Sequence, residues 1–517
     1  MAIRLNPKVR RFLLDKCRQK RYGFLFLGCI FAILYCMGTW PFFAKDIVHD
    51  PNNLPYSLQD YSTDKDEPFF RGCTDTKLYL QNPAYSKMNA SFVMLTRNEE
   101  IEDVLKTMRS IEGHFNKWFK YPYVFLNDDP FTNHFKDQIQ AATNATVEFG
   151  TVDEIMWEFP AKVRNSLQFK ASLEDQNDRG IMYGNMESYH KMCRFYSGIF
   201  YKHPLVSKYE WYWRIEPDVD FFCDISYDPF FEMAKHNKKY GFTVLITELY
   251  WTVPNLFRTT KSFIKKTAGL KENLGTLWKL FTFNYNILDT DDQEISRWVN
   301  FPWDAKPKLT EKLMVDFLLE NHGQVNNEED LEGIQYLVER ARSKVPMLED
   351  SLEGEDYNLC HFWSNFEIAR VDLFDNEIYN TYFKFLEESG GFWTERWGDA
   401  PIHSIGLGMT LDLEDVHYFR DIGYRHSSLQ HCPKNALQSQ ENLNTFDEGY
   451  NFGCGCRCVC PKKGEDIEDH STPCMDIFFE LLHGREYEKE FPGCYKPSIK
   501  DKDVIEEIRR ENFRVIE

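Results

Sequence analysis

The sequence predicts an α/β fold, a parallel sheet covered by helices, displayed in a secretory compartment behind an N-terminal membrane anchor. Three observations predict it: a strand–helix–strand rhythm that begins near Ala90, an uncharged apolar run from Tyr22 to Ala44, and cysteines concentrated beyond that run.

The first 21 residues carry eight basic side chains against one acid, Asp15, which makes them a basic cytosolic tail. Residues 22–44 contain no charge, and a membrane-spanning helix needs ~20 apolar residues. The basic flank stays cytosolic, so the bulk of the chain is expected in the lumen. A cleaved signal peptide is the alternative; its apolar core would be ~7–15 residues with small residues at the cleavage site. Here the run is longer and ends in Trp40, Pro41, Phe42 and Phe43, which suits an uncleaved anchor with aromatic residues at the interface. Residues 45–88 are rich in Asp, Asn, Pro, Ser and Tyr without an apolar period, and read as a stem.

From residue 89 a luminal catalytic domain is expected to run to residue 517. Ser91–Thr96 is a short apolar run of β-formers, and the pattern after Arg97 is helical, through Ile101, Val104, Leu105, Met108 and Ile111. Tyr121–Leu126 and Thr146–Gly150 read as further strands, giving a sheet whose ligands bind at the carboxyl ends of its strands. Arg97, Asn98 and Asp128 fall at those ends. Glu187–Tyr201 reads as a helix and Tyr209–Ile215 as a buried aromatic strand. Residues 256–350 are mixed and charged, and read as an insertion. Residues 432–494 form a cysteine-rich segment.

Net charge is −20, and with +7 in the tail the remainder carries −27. An acidic body excludes broad nucleic-acid binding, which needs a basic surface. Eleven of the 14 cysteines follow Ala44. In an oxidising lumen they are expected to form disulfides, with at least one left over. The run Cys454-Gly-Cys-Arg-Cys-Val-Cys460 lacks the spacing of a zinc knuckle. Sequons at Asn89 and Asn144 agree with the lumen.

Four segments could carry chemistry. Glu216-Pro-Asp218-Val-Asp220 follows the aromatic strand, and three carboxylates at a strand end can hold Mg²⁺ or Mn²⁺ through oxygen; a strand turning into solvent is the plainer alternative. Tyr357–Glu367 mixes aromatic and polar groups, a combination suited to a sugar, and Glu367 could act as a nucleophile or base. Gly390–His403 places Asp399 at a turn. Phe419–His426 ends in a histidine that spacing alone does not distinguish from His403, His417 or His431.

These segments resemble the fungal α-1,2-mannosyltransferase family, glycosyltransferase family 15. The resemblance rests on Val-Met-Leu-Thr-Arg97-Asn-Glu-Glu, Gly184-Asn-Met-Glu-Ser-Tyr189, Arg214-Ile-Glu216-Pro, Cys360-His-Phe-Trp-Ser-Asn-Phe-Glu367, Glu395-Arg-Trp-Gly-Asp399-Ala-Pro and Asp421-Ile-Gly-Tyr-Arg-His426, collinear over about residues 90–435. It implies a GT-A-like nucleotide-sugar-binding fold with a central mixed sheet, anchored as a single-pass type II protein of the Golgi membrane with a luminal catalytic domain. It implies a GDP-mannose donor, Mn²⁺ as cofactor, a mannosylated glycoprotein acceptor and retention of the α configuration. It puts the metal on Glu216 and His426, the acceptor on Tyr189, a candidate nucleophile on Glu367 and a nearby acid on Asp399. Arg97, Asp128 and Asp218 are the expected nucleotide-binding residues. The chain departs from the shorter family members in the length of 256–350 and in the cysteine-rich segment.

Overall fold

The computed structural model describes residues 68–70, 73–284, 355–433, 455–461, 465–467 and 473–483. The expected anchor at 22–44 lies outside the described residues; among them no helix is long and apolar enough to cross a membrane.

The core is a seven-stranded mixed sheet in the order β12-β6-β11-β4-β1-β2-β3. Its strands are β1 (Ala90–Leu95), β2 (Tyr123–Asn127), β3 (Val147–Thr151), β4 (Trp211–Arg214), β6 (Tyr240–Phe242), β11 (Glu367–Arg370) and β12 (Val416–Tyr418). The β1, β2, β3 and β4 strands run parallel, as expected from the sequence. The mixed character comes from β11, which is antiparallel to both β4 and β6. A reversed strand presents its first residue, not its last, at the carboxyl edge of its neighbours. Glu367 therefore sits opposite Arg214, at the edge where an α/β sheet binds ligands.

Side chains alternate across this sheet and feed two cores. Phe92 and Met94 join Tyr123, Phe125, Trp213 and Ile368 on one face. Val93 joins Val124, Leu126, Tyr212, Tyr240 and Ala369 on the other. The helix Glu187–Gly198 covers the second face. At Gly198 a Cβ would stand 2.1 Å from the Phe383 ring, so only glycine lets the helix Glu377–Ser389 pack there.

A smaller sheet, in the order β15-β14-β13-β5, stands beside the end of β4. It comprises β5 (Val219–Phe221), β13 (Tyr424–His426), β14 (Leu429–His431) and β15 (Glu465–Asp466). The alternating cysteines fasten it. Cys456 bonds Cys73, Cys458 bonds Cys223 just after β5, and Cys460 bonds Cys432 just after β14. In extended chain, residues two apart face the same way, so the spacing serves three disulfides. A fourth bond joins Cys360 to Cys474, and Cys193 is the free cysteine among the described residues.

Two boundaries differ from the sequence reading. The stem expected over 45–88 ends earlier, because Phe69, Phe70 and Tyr79 are buried in the first core. Phe69 stacks on His417 at 4.0 Å, and Tyr79 and Tyr85 donate to the buried carboxylates of Glu232 and Asp228. Isolated aromatic anchors leave no hydrophobic period, which is why composition alone read this stretch as stem. Of the 256–350 insertion, residues 256–284 are integral. The helices Leu256–Lys266 and Trp278–Phe281 pack into the second core, and β8 (Thr282–Asn284) pairs with β9 (Glu355–Tyr357). The remainder of that stretch lies outside the described residues.

Burial raises the Asp228 carboxyl to about 6, against the hydrogen bonds it accepts from Tyr121 and Tyr85. A raised folded pKa stabilises most at low pH, and that contribution disappears as pH rises through about 6. The melting temperature is thus expected to climb between pH 7 and pH 5, and Asp228→Asn should flatten that slope. An unchanged slope in the variant would assign the pH dependence elsewhere.

Candidate active site

The site grows from the turn between β4 and β5. Strand β4 is buried at every position, so Arg214 enters the core at its last residue. Such a charge needs partners. Its Nε and Nη2 donate to Glu216 Oε1 at 3.1 and 2.5 Å, and Nη1 donates to Asp399 Oδ2 at 2.5 Å. The guanidinium face lies 3.4 Å from the centroid of the Tyr196 ring. Tyr196 in turn accepts from the backbone N–H of Leu95 at the end of β1. One arginine thus fixes both carboxylates against the sheet edge.

Asp399 opens the helix Asp399–Gly408, where backbone N–H groups favour an anion. Burial would raise its carboxyl, but Arg214, His403 and the Ser364 hydroxyl outweigh that and hold it below the ordinary value. Asp399 is thus an ionised partner for Arg214 at neutral pH. Glu216 is more open: its side chain is 25% exposed, and Oε2 accepts no hydrogen bond among the described residues.

The β5–β13 pairing sets His426 opposite Val219, three residues after Glu216. Its ring is half-buried, 5.2 Å from that of Trp363, with Nδ1 3.1 Å from the Asn365 amide. Glu216 and His426 together offer one carboxylate oxygen and one imidazole, a donor pair that suits Mn²⁺. Among the described residues no cluster of three or more metal-ligating side chains forms. A cation held by this pair would need further oxygen ligands from outside the protein.

Asp218 and Asp220 stand elsewhere in their chemistry. Asp218 has a left-handed backbone (φ 60°), is exposed and bonds Lys106 Nζ at 2.5 Å. Asp220 is held by Lys106 at 3.3 Å and by Arg425 at 2.6 Å. Both carboxylates are committed to cations of the protein. Arg97 and Asp128 are exposed at the carboxyl ends of β1 and β2, and Arg97 pairs with Glu100. Tyr189 lies on the helix Glu187–Gly198, its ring stacked 4.5 Å from Tyr183 and 5.6 Å from the Arg396 guanidinium. Burial pushes its phenol well above the ordinary value, although Arg396 opposes this, so Tyr189 keeps its proton at neutral pH.

Glu367 has a different place from the one a nucleophile needs. It is fully buried. Oε1 accepts from Tyr212 at 2.8 Å and Oε2 accepts from Tyr240 at 3.0 Å. His403 Nδ1 lies 3.2 Å from Oε2, while His403 Nε2 bonds the carbonyl of Tyr196. With Tyr212, Tyr240 and His403 around it, the carboxylate has no open side.

Sequence reasoning missed Arg214 as the organiser, together with Ser364, Asn365, Tyr196 and His403. Arg214 was visible as the one charge at the end of an aromatic strand. Ser364, Asn365 and His403 fall within segments already marked for chemistry, but nothing joins them, or Tyr196, to Arg214 before the strands are paired. A separate cavity of ≈ 550 Å³ opens at the far end of the sheet, beside Trp211, Lys239 and Arg370, away from all of these groups.

A family described as glycolipid 2-alpha-mannosyltransferase matches residues 63–301 and 303–480. The probable mannosyltransferase KTR7 of Saccharomyces cerevisiae is 99% identical over 517 residues, covering 100% of both chains. The crystal structure of core-mannan synthase A (CmsA/Ktr4) from Aspergillus fumigatus, in its Mn/GDP form, is similar with a TM-score of 0.56 and 31% identity, over 84% of this chain and 94% of that one. The mannosyltransferase Ktr4p of S. cerevisiae, solved with GDP, gives a TM-score of 0.58 at 29% identity, over 87% and 96%.

Proposed function

This chain belongs to the glycolipid 2-alpha-mannosyltransferase family of glycosyltransferases, and we propose that it transfers mannose from GDP-mannose, with retention, in α-1,2 linkage to mannose-terminated N- or O-linked glycans of secretory and cell-wall proteins. The observation that carries the reading is Glu216, fastened through Arg214 at the carboxyl edge of the sheet with one oxygen free, on the turn that β13 flanks with His426. The relative solved in its Mn/GDP form supports the same cation here. The charged tail and apolar run support a single-pass Golgi-membrane protein with this domain in the lumen.

Glu216 and His426 would hold Mn²⁺. The chemistry it supplies when bound is neutralisation of the negative charge on the departing diphosphate. Arg214 holds Glu216 in place at the carboxyl edge of the sheet. Arg97 and Asp128, at neighbouring strand ends, border the nucleotide. Tyr189 offers a protonated phenol that orients the attacking acceptor hydroxyl. Because Glu367 is enclosed, we favour front-face transfer. The acceptor oxygen bonds the anomeric carbon on the face that GDP leaves, and its proton passes to the leaving phosphate oxygen. Glu367 then serves as a buried anchor for β4, β6 and His403.

The test incubates the full chain in detergent with GDP-mannose, an α-mannoside and Mn²⁺, with and without chelator. Metal-dependent α-1,2 product is expected. GDP binding without transfer to any of several mannosides would instead indicate a sugar-binding protein that has lost catalysis. Tyr189→Phe removes one hydrogen bond to the acceptor hydroxyl and should lower kcat/KM about tenfold. An unchanged value would take Tyr189 out of the acceptor site.

A further inference from the structure

We propose that the side-chain amide of Asn365 fixes the tautomer of His426, accepting a hydrogen bond from Nδ1–H and leaving Nε2 bare for a divalent cation. The inference rests on the reading of His426 as a metal-side group and assigns what prepares it.

Asn365 lies between β10 (Cys360–Phe362) and β11 and is 6% exposed. One end of its amide is 3.1 Å from His426 Nδ1. The other end is 3.1 Å from the Tyr424 hydroxyl, which also stands 3.1 Å from the backbone carbonyl oxygen of Asn365. The two ends of a carboxamide have nearly the same shape, so their identity follows from counting hydrogens in the network.

With the amide nitrogen toward His426, the Tyr424 hydroxyl faces two oxygens with a single hydrogen. One of those contacts is then left without a proton. The nitrogen also donates to Nδ1, which forces the ring hydrogen onto Nε2. Turning the amide over resolves both problems. Tyr424 donates to the backbone carbonyl and accepts from the amide nitrogen, and the amide oxygen accepts from Nδ1–H. Every contact now holds one hydrogen, and the network gains a bond.

The surroundings hold this arrangement in place. Tyr424 is fully buried, with its ring 5.5 Å from Phe221 and 5.2 Å from Phe366. Trp363 borders the imidazole on another side at 5.2 Å. A histidine whose distal nitrogen is fixed by a hydrogen bond is the usual form of a metal-bound imidazole, and loss of that partner typically weakens affinity about 10- to 100-fold. Asn365 acts through His426 and is a positioning residue.

The test measures Mn²⁺ affinity of the full chain, with GDP present, by electron paramagnetic resonance, and reads the imidazole nitrogen coupling in the same samples. Asn365→Leu is expected to weaken binding at least about tenfold and to remove the coupling, whereas Asn365→Asp, which keeps an acceptor, should stay within about threefold. His426→Ala is the reference. If His426→Ala binds Mn²⁺ like the parent, the metal reading of His426 fails. If His426→Ala is weak but Asn365→Leu binds normally, the role of the amide is overturned. Equal weakness of the Asp and Leu variants, both folded, would overturn the acceptor assignment. Should Asn365→Leu unfold, Tyr424→Phe replaces it: it frees the amide to turn and is expected to weaken Mn²⁺ while Asn365→Asp does not.

Discussion

Glu216→Ala is expected to lower mannosyl transfer by about a thousandfold while leaving the protein folded. The two effects separate because of Arg214. In the variant the guanidinium keeps Asp399 at 2.5 Å, Ser364 at 3.3 Å and the Tyr196 ring, so no buried charge loses its last partner. What disappears is the partly exposed carboxylate proposed to hold the cation. Transfer at saturating Mn²⁺, with melting temperature and GDP binding as controls, is the measurement. Transfer within tenfold of the parent, from a folded variant, would remove Glu216 from the metal site.

The other large effect is on stability. Glu367→Ala strands the Tyr212 and Tyr240 hydroxyls and His403 Nδ1 in the buried interior. At about 1–3 kcal/mol for each of the three orphaned groups, the loss should reach about 3–9 kcal/mol in denaturant unfolding, a large part of a typical protein's stability. Glu367→Gln keeps the shape: its amide oxygen accepts from Tyr212, and its nitrogen faces His403 Nδ1 and the Tyr240 oxygen, to both of which it has a hydrogen to donate. That variant should unfold within about 1 kcal/mol of the parent and retain transfer within tenfold. A folded Glu367→Gln protein with thousandfold weaker transfer would reinstate a covalent route through this carboxylate.

The strands β1 to β4, the helix that follows Arg97 and the disulfide use of the cysteine run were legible in the sequence, because period and composition report which surfaces must be buried. Pattern marked Glu216 as one of three carboxylates at a strand end, but only collinear resemblance chose it among them; spacing likewise left His426 level with three other histidines. The reversed direction of β11 was not legible, since a strand of four residues reads the same in either orientation. Yet that reversal decides that Glu367 meets Arg214 at the ligand edge.

By itself, then, the sequence determined the α/β class, the charged tail with its apolar run, and the segments where chemistry could reside, all of which depend on local order. Only the tertiary structure decided that Asp218 and Asp220 are spent on Lys106 and Arg425, that Glu367 is enclosed, and that Asn365 reaches His426 from 61 residues away. The reason is physical: whether a carboxylate is free or committed depends on partners brought together by strand pairing, and one-dimensional spacing carries no record of them.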